Sequence, residues 1–207
     1  MIKLSSPFRL ATKEDAPILV QLVNHAGEGL PEYIWSKMAE SSPGSEKRDP
    51  WEIGRERQAN LASQGKIIVL QDDGLPVAGL TGYVIGPEPE PIPDDMPEMF
   101  KPLQELENAA PNSWYINVLA TLPEHRGKGH GSKLLNCAED IAVNHGLSEL
   151  SLIVADNNKG ARKLYERSGF VEQSRRPLVR ENWITEGREW VLMTKRISTN
   201  SQGKDPG

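Results

Sequence analysis

Three glycines stand at alternate positions within the stretch PEHRGKGHGSKLL, which begins at Pro123 and runs into a segment that is typical of a helix. Glycine inside a helix costs about 1 kcal/mol relative to alanine, so three of them at a helix entrance need a reason other than stability. Because glycine has no Cβ atom, the backbone amides around Gly127, Gly129 and Gly131 can approach an anion closely. The partially positive N-terminus of a following helix also favours phosphate. The stretch therefore predicts either a nest of amides for a pyrophosphate or a tight turn that only starts a helix.

Two other phosphate-binding loops fit this stretch poorly. A P-loop ends in Gly-Lys followed by Ser or Thr, whereas Gly131 is followed by Ser132 and then Lys133, in the reverse order. A dinucleotide fingerprint reads G-x-G-x-x-G at the first strand-to-helix turn, whereas this loop reads G-x-G-x-G and comes late in the chain. A nucleotide-binding module is therefore the weakest interpretation of the glycines.

The composition places limits on partners and ligands. A net charge of −5 and a pI near 5.5 argue against nucleic acid as a partner, because phosphate contacts need a basic face. The N-terminal residues lack the apolar core of a signal peptide, and no run of about 18 apolar residues occurs, so we expect a soluble cytoplasmic protein with no membrane partner. The only cysteine, Cys137, excludes a multi-cysteine zinc site, and the four histidines show no metal-site spacing, so we expect no metal.

The order of candidate elements predicts an α/β fold with a mixed sheet. Helical patterns alternate with strands in the second half of the chain, and hairpins dominate elsewhere. A chain of 207 residues fits one domain, which we place at 1–197, followed by a polar and flexible tail at 198–207. The candidate strands lie within PFRLA, KIIVLQ, PVAGLTGYVI, WYINVLAT, LSLIVA, FVEQSRRPLV and REWVLMTKRI.

Two blocks of this sequence closely resemble the GNAT superfamily of acetyl-CoA-dependent N-acetyltransferases. PEHRGKGHGSKLL is similar to the family's pyrophosphate motif. NNKGARKLYERSGF is similar to its second motif, Asn-x-x-Ala-x-x-x-Tyr ending in Gly-Phe. The blocks occur in the family's order, with the LSLIVA strand between them, and the resemblance covers roughly 7 to 197. It implies one domain with a mixed, mostly antiparallel sheet of about six to seven strands flanked by helices.

The resemblance also implies which residues hold acetyl-CoA, the cosubstrate of the family. The end of the WYINVLAT strand, with Leu119, Ala120 and Thr121, would bond the pantetheine arm through its backbone, and Asn158 would reach the cofactor from the second motif. Thr121 stands where valine is common, and His130 where the family more often has an aliphatic residue, but neither change removes a backbone donor. The pyrophosphate would be bound by backbone amides of Arg126, Gly127, Lys128, Gly129, His130, Gly131 and Ser132.

Acetyl transfer to an amine needs a proton for the leaving thiolate and a polarised carbonyl group. Tyr165 is our candidate acid, because a phenol can protonate a thiolate, although its ring could instead only pack the helix on the sheet. The backbone N–H of Leu119 would polarise the carbonyl. Strict alternation would place Tyr115, Asn117 and Leu119 on one strand face, where Asn117 could orient a water and Tyr115 could contact substrate. These two polar residues could equally satisfy local hydrogen bonds, and the base stays open.

The segment HAGEGLPEYIW is the candidate acceptor site, since the family builds that site from its first helical pair. Glu28 and Glu32 could attract a protonated primary amine, and Tyr33 could pack on its alkyl part. A surface helix with a core-facing Trp35 explains the same residues. The predicted acceptor is an unidentified small-molecule or protein amine that attacks the thioester directly. A non-catalytic acetyl-CoA sensor or scaffold is the alternative, and the sequence leaves a homodimer open.

Overall fold

The computed structural model describes residues 4–41 and 48–197, so the predicted tail at 198–207 lies outside the described residues. Within those ranges the chain forms seven strands and six α-helices. The strands are β1 (Phe8–Leu10), β2 (Ile67–Asp72), β3 (Leu75–Ile85), β4 (Ser113–Thr121), β5 (Glu149–Ala155), β6 (Val171–Pro177) and β7 (Glu189–Arg196). The helices are α1 (Ala16–Ala26), α2 (Leu30–Glu40), α3 (Pro50–Ser63), α4 (Lys101–Asn108), α5 (His130–Asn144) and α6 (Lys159–Arg167). No helix of the described ranges has the length and apolar character needed to cross a membrane.

All seven strands form one sheet in the order β1-β2-β3-β4-β5-β7-β6. Every neighbouring pair is antiparallel except β4 and β5, which run parallel. A parallel pair needs a long crossover, and the glycine loop with α5 supplies it. The predicted fold class, an α/β domain with a mixed and mostly antiparallel sheet of six to seven strands, is confirmed.

Helices cover both faces of the sheet. On one face, Ile116 and Leu152 pack with Leu134 and Ala138 of α5, and α6 adds Tyr165 to the same cluster. The apolar stripe of α5 faces the sheet, as its spacing predicts. The other face carries two clusters, the first formed with α1 and the second with α2 and α4. The sheet is therefore a central layer with a separate hydrophobic core on each of its two faces.

A β-bulge interrupts β4 opposite β3. Thr81 pairs with Val118 and Gly82 pairs with Ile116, so Asn117 has no partner on β3. A Cβ atom at Gly82 would lie 2.4 Å from the carbonyl oxygen of the facing strand, so only glycine allows this close approach. The extra residue leaves the Asn117 side chain exposed at the middle of the sheet.

The bulge reverses which face the end of β4 presents. Leu119 packs against the cluster that contains Ile116, while Ala120 packs with α1 on the other face. The predicted grouping of Tyr115, Asn117 and Leu119 on one face is therefore wrong beyond the bulge. The physical reason is that one inserted residue shifts the two-residue period of the strand by one position.

β4 and β5 are paired over a short stretch only. Trp114–Ile116 pairs with Leu150–Leu152, and no register pairs join the two strands after these residues. Each strand nevertheless continues, β4 to Thr121 and β5 to Ala155. The sheet therefore has an opening at its centre, between the ends of its one parallel pair.

Candidate active site

A cavity of about 650 Å³ occupies the opening between β4 and β5. Its walls include the ends of both strands, the glycine loop and α6 on one face of the sheet, and the α1–α2 turn on the other. The volume lies within the range usual for small-molecule sites. Because the sheet is open here, one cavity is accessible to groups from both faces.

The glycines of the loop have two different structural roles. Gly127 and Gly129 adopt φ angles of +79° and +80°, and a Cβ atom on either would meet no atom within 4 Å. A Cβ atom at Gly131 would lie 2.8 Å from Leu164 Cδ2, so this glycine allows α5 and α6 to pack closely. The first two glycines therefore leave open space beside the backbone, while the third serves packing.

The N-terminus of α5 forms part of the cavity wall. Gly129, His130, Gly131 and Ser132 all line the cavity, and the first N–H groups of a helix have no partner within the helix. With the helix dipole behind them, these groups attract an anion. The first turn of α5 therefore offers unpaired backbone donors to the cavity, and pyrophosphate binding there stays a prediction.

Two residues predicted for the site, one at the start of α6 and one within it, also line the cavity. Asn158 caps the helix, because its Oδ1 accepts a hydrogen bond from the Ala161 N–H at 3.0 Å. Tyr165 is buried, its ring centre lies 5.8 Å from that of Phe170, and its hydroxyl donates to no protein group among the described residues. Burial raises the pKa of Tyr165 to about 12, so the hydroxyl keeps its proton at neutral pH. The ring thus packs in the core and its hydroxyl is available to a ligand.

Glu28 lies at the other end of the cavity, in the turn between α1 and α2. It has a φ of +51°, which is costly for a residue with a Cβ atom. Trp183 Nε1 donates a hydrogen bond to its carbonyl oxygen at 3.2 Å. Burial raises the pKa of Glu28, and hydrogen bonds from Asn157 and Asn158 oppose that rise. Among the described residues that line the cavity, Glu28 is the only Asp or Glu, so this end of the cavity carries its one carboxyl group.

The family model described as the Acetyltransferase (GNAT) family matches residues 32–170, which is more than half of the chain. The chain belongs to this family. The match contains the bulged strand, the glycine loop, α5 and α6, and so includes most of the cavity wall.

Curated GNAT relatives and solved structures agree with this assignment. The chain is 33% identical over 72 residues to N-alpha-acetyltransferase 30 of Schizosaccharomyces pombe, covering 35% of this chain and 48% of that protein. It is 40% identical over 55 residues to thialysine N-epsilon-acetyltransferase of Bos taurus, covering 27% of this chain and 32% of that protein. The chain thus spans less than half the length of these relatives. The solved structure of PaiA N-acetyltransferase from Thermoplasma acidophilum in complex with coenzyme A superposes with a TM-score of 0.56 at 18% sequence identity. The match covers 93% of this chain and 99% of the PaiA chain, which shows that the two share a fold.

Most of the residues predicted for the site lie together in this GNAT domain. They come from β4, from the glycine loop, from α6 and from the α1–α2 turn. The predicted residues that line the cavity are Glu28, Asn117, Leu119, Ala120, Thr121, Arg126, Gly127, Gly129, His130, Gly131, Ser132, Asn158 and Tyr165. Their roles stay predictions.

Lys128 and Tyr115 do not line the cavity. The Lys128 ammonium donates a hydrogen bond to Asp72 Oδ2 at 3.2 Å, on the side of the loop that faces the β2–β3 turn. Tyr115 is buried, with its ring centre 5.2 Å from that of Tyr83. Neither side chain is placed to touch a ligand in the cavity.

Glu32 connects helices instead of facing the cavity. Its Oε2 accepts a hydrogen bond from Asn24 Nδ2 at 3.2 Å, and its Oε1 accepts one from Trp51 Nε1 at 3.2 Å. These bonds join α2 to α1 and α3, which gives Glu32 a structural role.

Tyr33 also lies outside the cavity wall. Its hydroxyl donates a hydrogen bond to Glu181 at 3.0 Å in an exposed position. Trp35 is 3% exposed and packs between α1 and α3, as the alternative interpretation of this segment predicts. Of the four predicted acceptor residues, only Glu28 lies at the cavity.

One wall of the cavity, formed by β5 and β7, was not predicted from the sequence. The end of β5, Leu152 to Ala155, lines the cavity together with Trp190 of β7. One available signal was general: ligands in α/β sheets bind beyond the carboxyl ends of parallel strands. No comparable local signal marks Trp190, which the antiparallel pairing with Ala155 brings to the site.

Proposed function

We propose that this chain is an acetyl-CoA-dependent N-acetyltransferase in which a primary amine attacks the thioester directly. The observation that supports this most is the single cavity that joins the glycine loop to Glu28 through the opening in the sheet. Acetyl-CoA would enter along the face covered by α5 and α6. The amine would enter from the face covered by α1 and α2, so the two reacting groups would meet at the opening.

The cofactor would be held mainly by backbone groups. The pyrophosphate would receive hydrogen bonds from the N–H groups of the loop and of the first turn of α5. The pantetheine arm would run along Leu119 to Thr121, where β4 has no pairing with β5. An extended chain that adds to an unpaired strand edge gains main-chain hydrogen bonds, and the amide-bearing pantetheine arm can do the same.

The chemistry requires charge stabilisation at two atoms of the thioester. As the amine nitrogen bonds to the carbonyl carbon, the carbonyl oxygen becomes negative, and the N–H of Leu119 would stabilise it. When the carbon–sulfur bond breaks, the Tyr165 hydroxyl would give its proton to the sulfur and release coenzyme A as a thiol. The burial that raises the pKa of Tyr165 would also raise that of an adjacent thiol, so proton transfer between them stays feasible.

The amine would be selected by Glu28. A half-buried carboxylate attracts an ammonium group more strongly than an exposed one, because water screens it less. The amine must lose a proton before it attacks, and a water held by the exposed side chain of Asn117 would take it. The two curated relatives are named for an alpha and an epsilon amine position, respectively. For this chain we therefore propose an amine-bearing acceptor, either a small molecule or a protein.

A thermal-shift experiment followed by an amine screen tests this proposal. A ligand present at 100 times its Kd stabilises the folded state by about 2.7 kcal/mol, so saturating acetyl-CoA should raise the Tm clearly and ATP should not. Amine classes are then screened for release of free thiol. Stabilisation by ATP alone would contradict the cofactor assignment. Stabilisation by acetyl-CoA without turnover on any amine class would favour the non-catalytic module.

A further inference from the structure

Three potential metal ligands meet beside the glycine loop. Asp72 ends β2, His125 lies in the 3-10 turn Pro123–His125, and His130 is the first residue of α5. Their ligand atoms all lie within 4.8 Å of one another. Asp72 Oδ2 is 3.5 Å from His125 Nδ1 and 3.8 Å from His130 Nε2. The β2–β3 turn thus brings a carboxylate to two imidazoles that follow it by more than fifty residues.

His130 has a buried ring whose polar atoms lack partners. The residue is 6% exposed, and neither Nδ1 nor Nε2 has a hydrogen-bond partner within residues 4–41 and 48–197. A buried polar atom without a partner costs free energy, so each such case calls for an explanation.

The cluster already attracts a cation. The Lys128 ammonium lies 3.2 Å from Asp72 Oδ2 and 3.5 Å from His125 Nδ1, and about half of its side chain is exposed. A flexible and exposed lysine can move into solvent at little cost. A metal ion could then occupy the position of the ammonium group and bind Asp72, His125 and His130 together.

We propose that Asp72, His125 and His130 form a binding site for a zinc-type divalent transition metal ion, with water as the fourth ligand. Zinc binds imidazole nitrogen and carboxylate oxygen at about 2.0–2.2 Å, which places tetrahedral ligand atoms roughly 3.4 Å apart. The two separations from Asp72 are close to this value. Imidazole favours zinc, copper, nickel and cobalt over magnesium and calcium.

The sequence predicts no metal because the site is not local. His125 and His130 are five positions apart and on either side of a glycine loop, and their carboxylate partner comes from a separate hairpin. Only the fold brings the three together.

A bound ion would restrain the glycine loop. His125 precedes and His130 follows residues 126–129 of the loop, so a metal ion would link both ends of that segment to the β2–β3 turn. This consequence rests on the proposed function, in which the same loop binds the pyrophosphate. A restrained loop loses less conformational freedom when it binds, so the ion should tighten acetyl-CoA binding.

The test is a titration of tag-free, metal-stripped protein with Zn²⁺ by calorimetry, without acetyl-CoA. We expect one ion per chain, and Co²⁺ should give the visible spectrum of a four-coordinate site. His130→Leu and Asp72→Asn should each weaken Zn²⁺ binding by at least about tenfold, a loss that even the outer partners of metal ligands can cause. Lys128→Met should tighten it, because the competing ammonium is removed. His145→Gln, which changes an exposed histidine at the end of α5, is the matched control and should bind as the wild type does.

His130→Leu places an apolar side chain in the same buried position. An unchanged circular dichroism spectrum would show that the variant is folded. Wild-type protein that binds no Zn²⁺, or His130→Leu that binds it as tightly as the wild type, would overturn the site. The effect on the cofactor is measured separately, as acetyl-CoA affinity with and without Zn²⁺. Zn²⁺ should tighten acetyl-CoA binding to the wild type and not to His130→Leu, and equal affinities would overturn the restraint. If acetyl-CoA does not bind at all, the proposed function fails while the Zn²⁺ titration still decides the metal site.

Discussion

At one end of the cavity the wall comes from one short segment, with Arg126, Gly127 and residues 129–132, whereas the rest of the wall, toward Glu28, comes from segments far apart in the chain. This second part includes Glu28 from the α1–α2 turn and Trp190 of β7, and Asn157 before α6 hydrogen-bonds to Glu28. Backbone recognition depends on glycine spacing and on a helix N-terminus. Side-chain recognition depends on which residues the fold happens to bring together.

This difference separates cofactor binding from acceptor choice. A substitution of a side chain in the α1–α2 turn leaves the amides of the glycine loop where they are. The acceptor end can therefore change its preference while the cofactor end stays the same. The two ends meet only at the opening between β4 and β5, near Tyr165. Variants at each end should accordingly change different measured constants.

The largest effect should come from Tyr165→Phe, where the two ends meet. Loss of the proton donor should lower kcat by roughly 10²- to 10⁴-fold, the usual range for general acid catalysis. Acetyl-CoA affinity should change little, because the phenyl ring still packs on Phe170. Steady-state kinetics with the best amine from the screen, together with calorimetric titration of acetyl-CoA, measure the two quantities separately.

Tyr83→Phe is the control for this measurement. The Tyr83 hydroxyl donates a hydrogen bond to Glu107 at 2.8 Å, outside the cavity wall. That variant should keep the wild-type kcat. A Tyr165→Phe protein with wild-type kcat would mean that solvent or another group protonates the sulfur.

The second effect concerns the cofactor end alone. Gly129→Ala places a methyl group in the open space beside the loop amides, at a φ of +80°. We expect acetyl-CoA to bind at least about tenfold more weakly, which corresponds to roughly 1.4 kcal/mol. The left-handed backbone also costs about 1–2 kcal/mol of stability for a residue with a Cβ atom.

Gly146→Ala is the matched control for backbone strain. Gly146 has a φ of +72° and open space around it, but it follows the C-terminal end of α5, away from the cavity. Both variants should lose a similar amount of thermal stability. Only Gly129→Ala should lose acetyl-CoA affinity, and an equal loss in both would contradict binding by the loop amides.

The same contrast explains which features could be predicted from the sequence. The glycine loop and the Asn158–Tyr165 block are short, continuous patterns, and the structure places both at the cavity. The bulge at Asn117 could not be predicted, because alternation along a strand does not reveal an inserted residue opposite a neighbouring strand. Glu28 and Glu32 have the same side chain and are four residues apart, yet one faces the cavity and the other joins helices. Only the tertiary contacts of the turn distinguish them.

The third effect belongs to the acceptor end. Glu28→Gln removes the one carboxylate among the described cavity-lining residues. The KM for the amine should rise by a few-fold to about a hundredfold, which corresponds to about 1–3 kcal/mol for a charge-assisted hydrogen bond. Acetyl-CoA affinity should stay at the wild-type value. Steady-state kinetics over a range of amine concentrations measure the change in KM. Added salt should reduce the difference in KM between the wild type and Glu28→Gln, because salt screens the attraction between Glu28 and the ammonium group. An unchanged KM would move the search for the acceptor site to Asn117.

The smallest effect should distinguish Glu32 from Glu28. Glu32→Gln keeps one oxygen acceptor but turns the other position into a donor that faces either Asn24 or Trp51, both of which donate. A mismatched pair of this kind costs about 1 kcal/mol, which lowers the Tm of a chain of this length by roughly 2–4 °C. The KM for the amine should not change, because the side chain lies outside the cavity wall.

Glu40→Gln is the comparison on the same helix, since Glu40 is exposed and, among the described residues, pairs only with Lys37 one turn earlier, at 3.1 Å. Exposed pairs contribute little, so its Tm should stay close to that of the wild type. A raised amine KM in Glu32→Gln, with no loss of Tm, would place Glu32 in the acceptor site after all. The α1–α2 turn would then open differently when a ligand is bound, because the bonds to Asn24 and Trp51 would have to break before Glu32 could face the cavity.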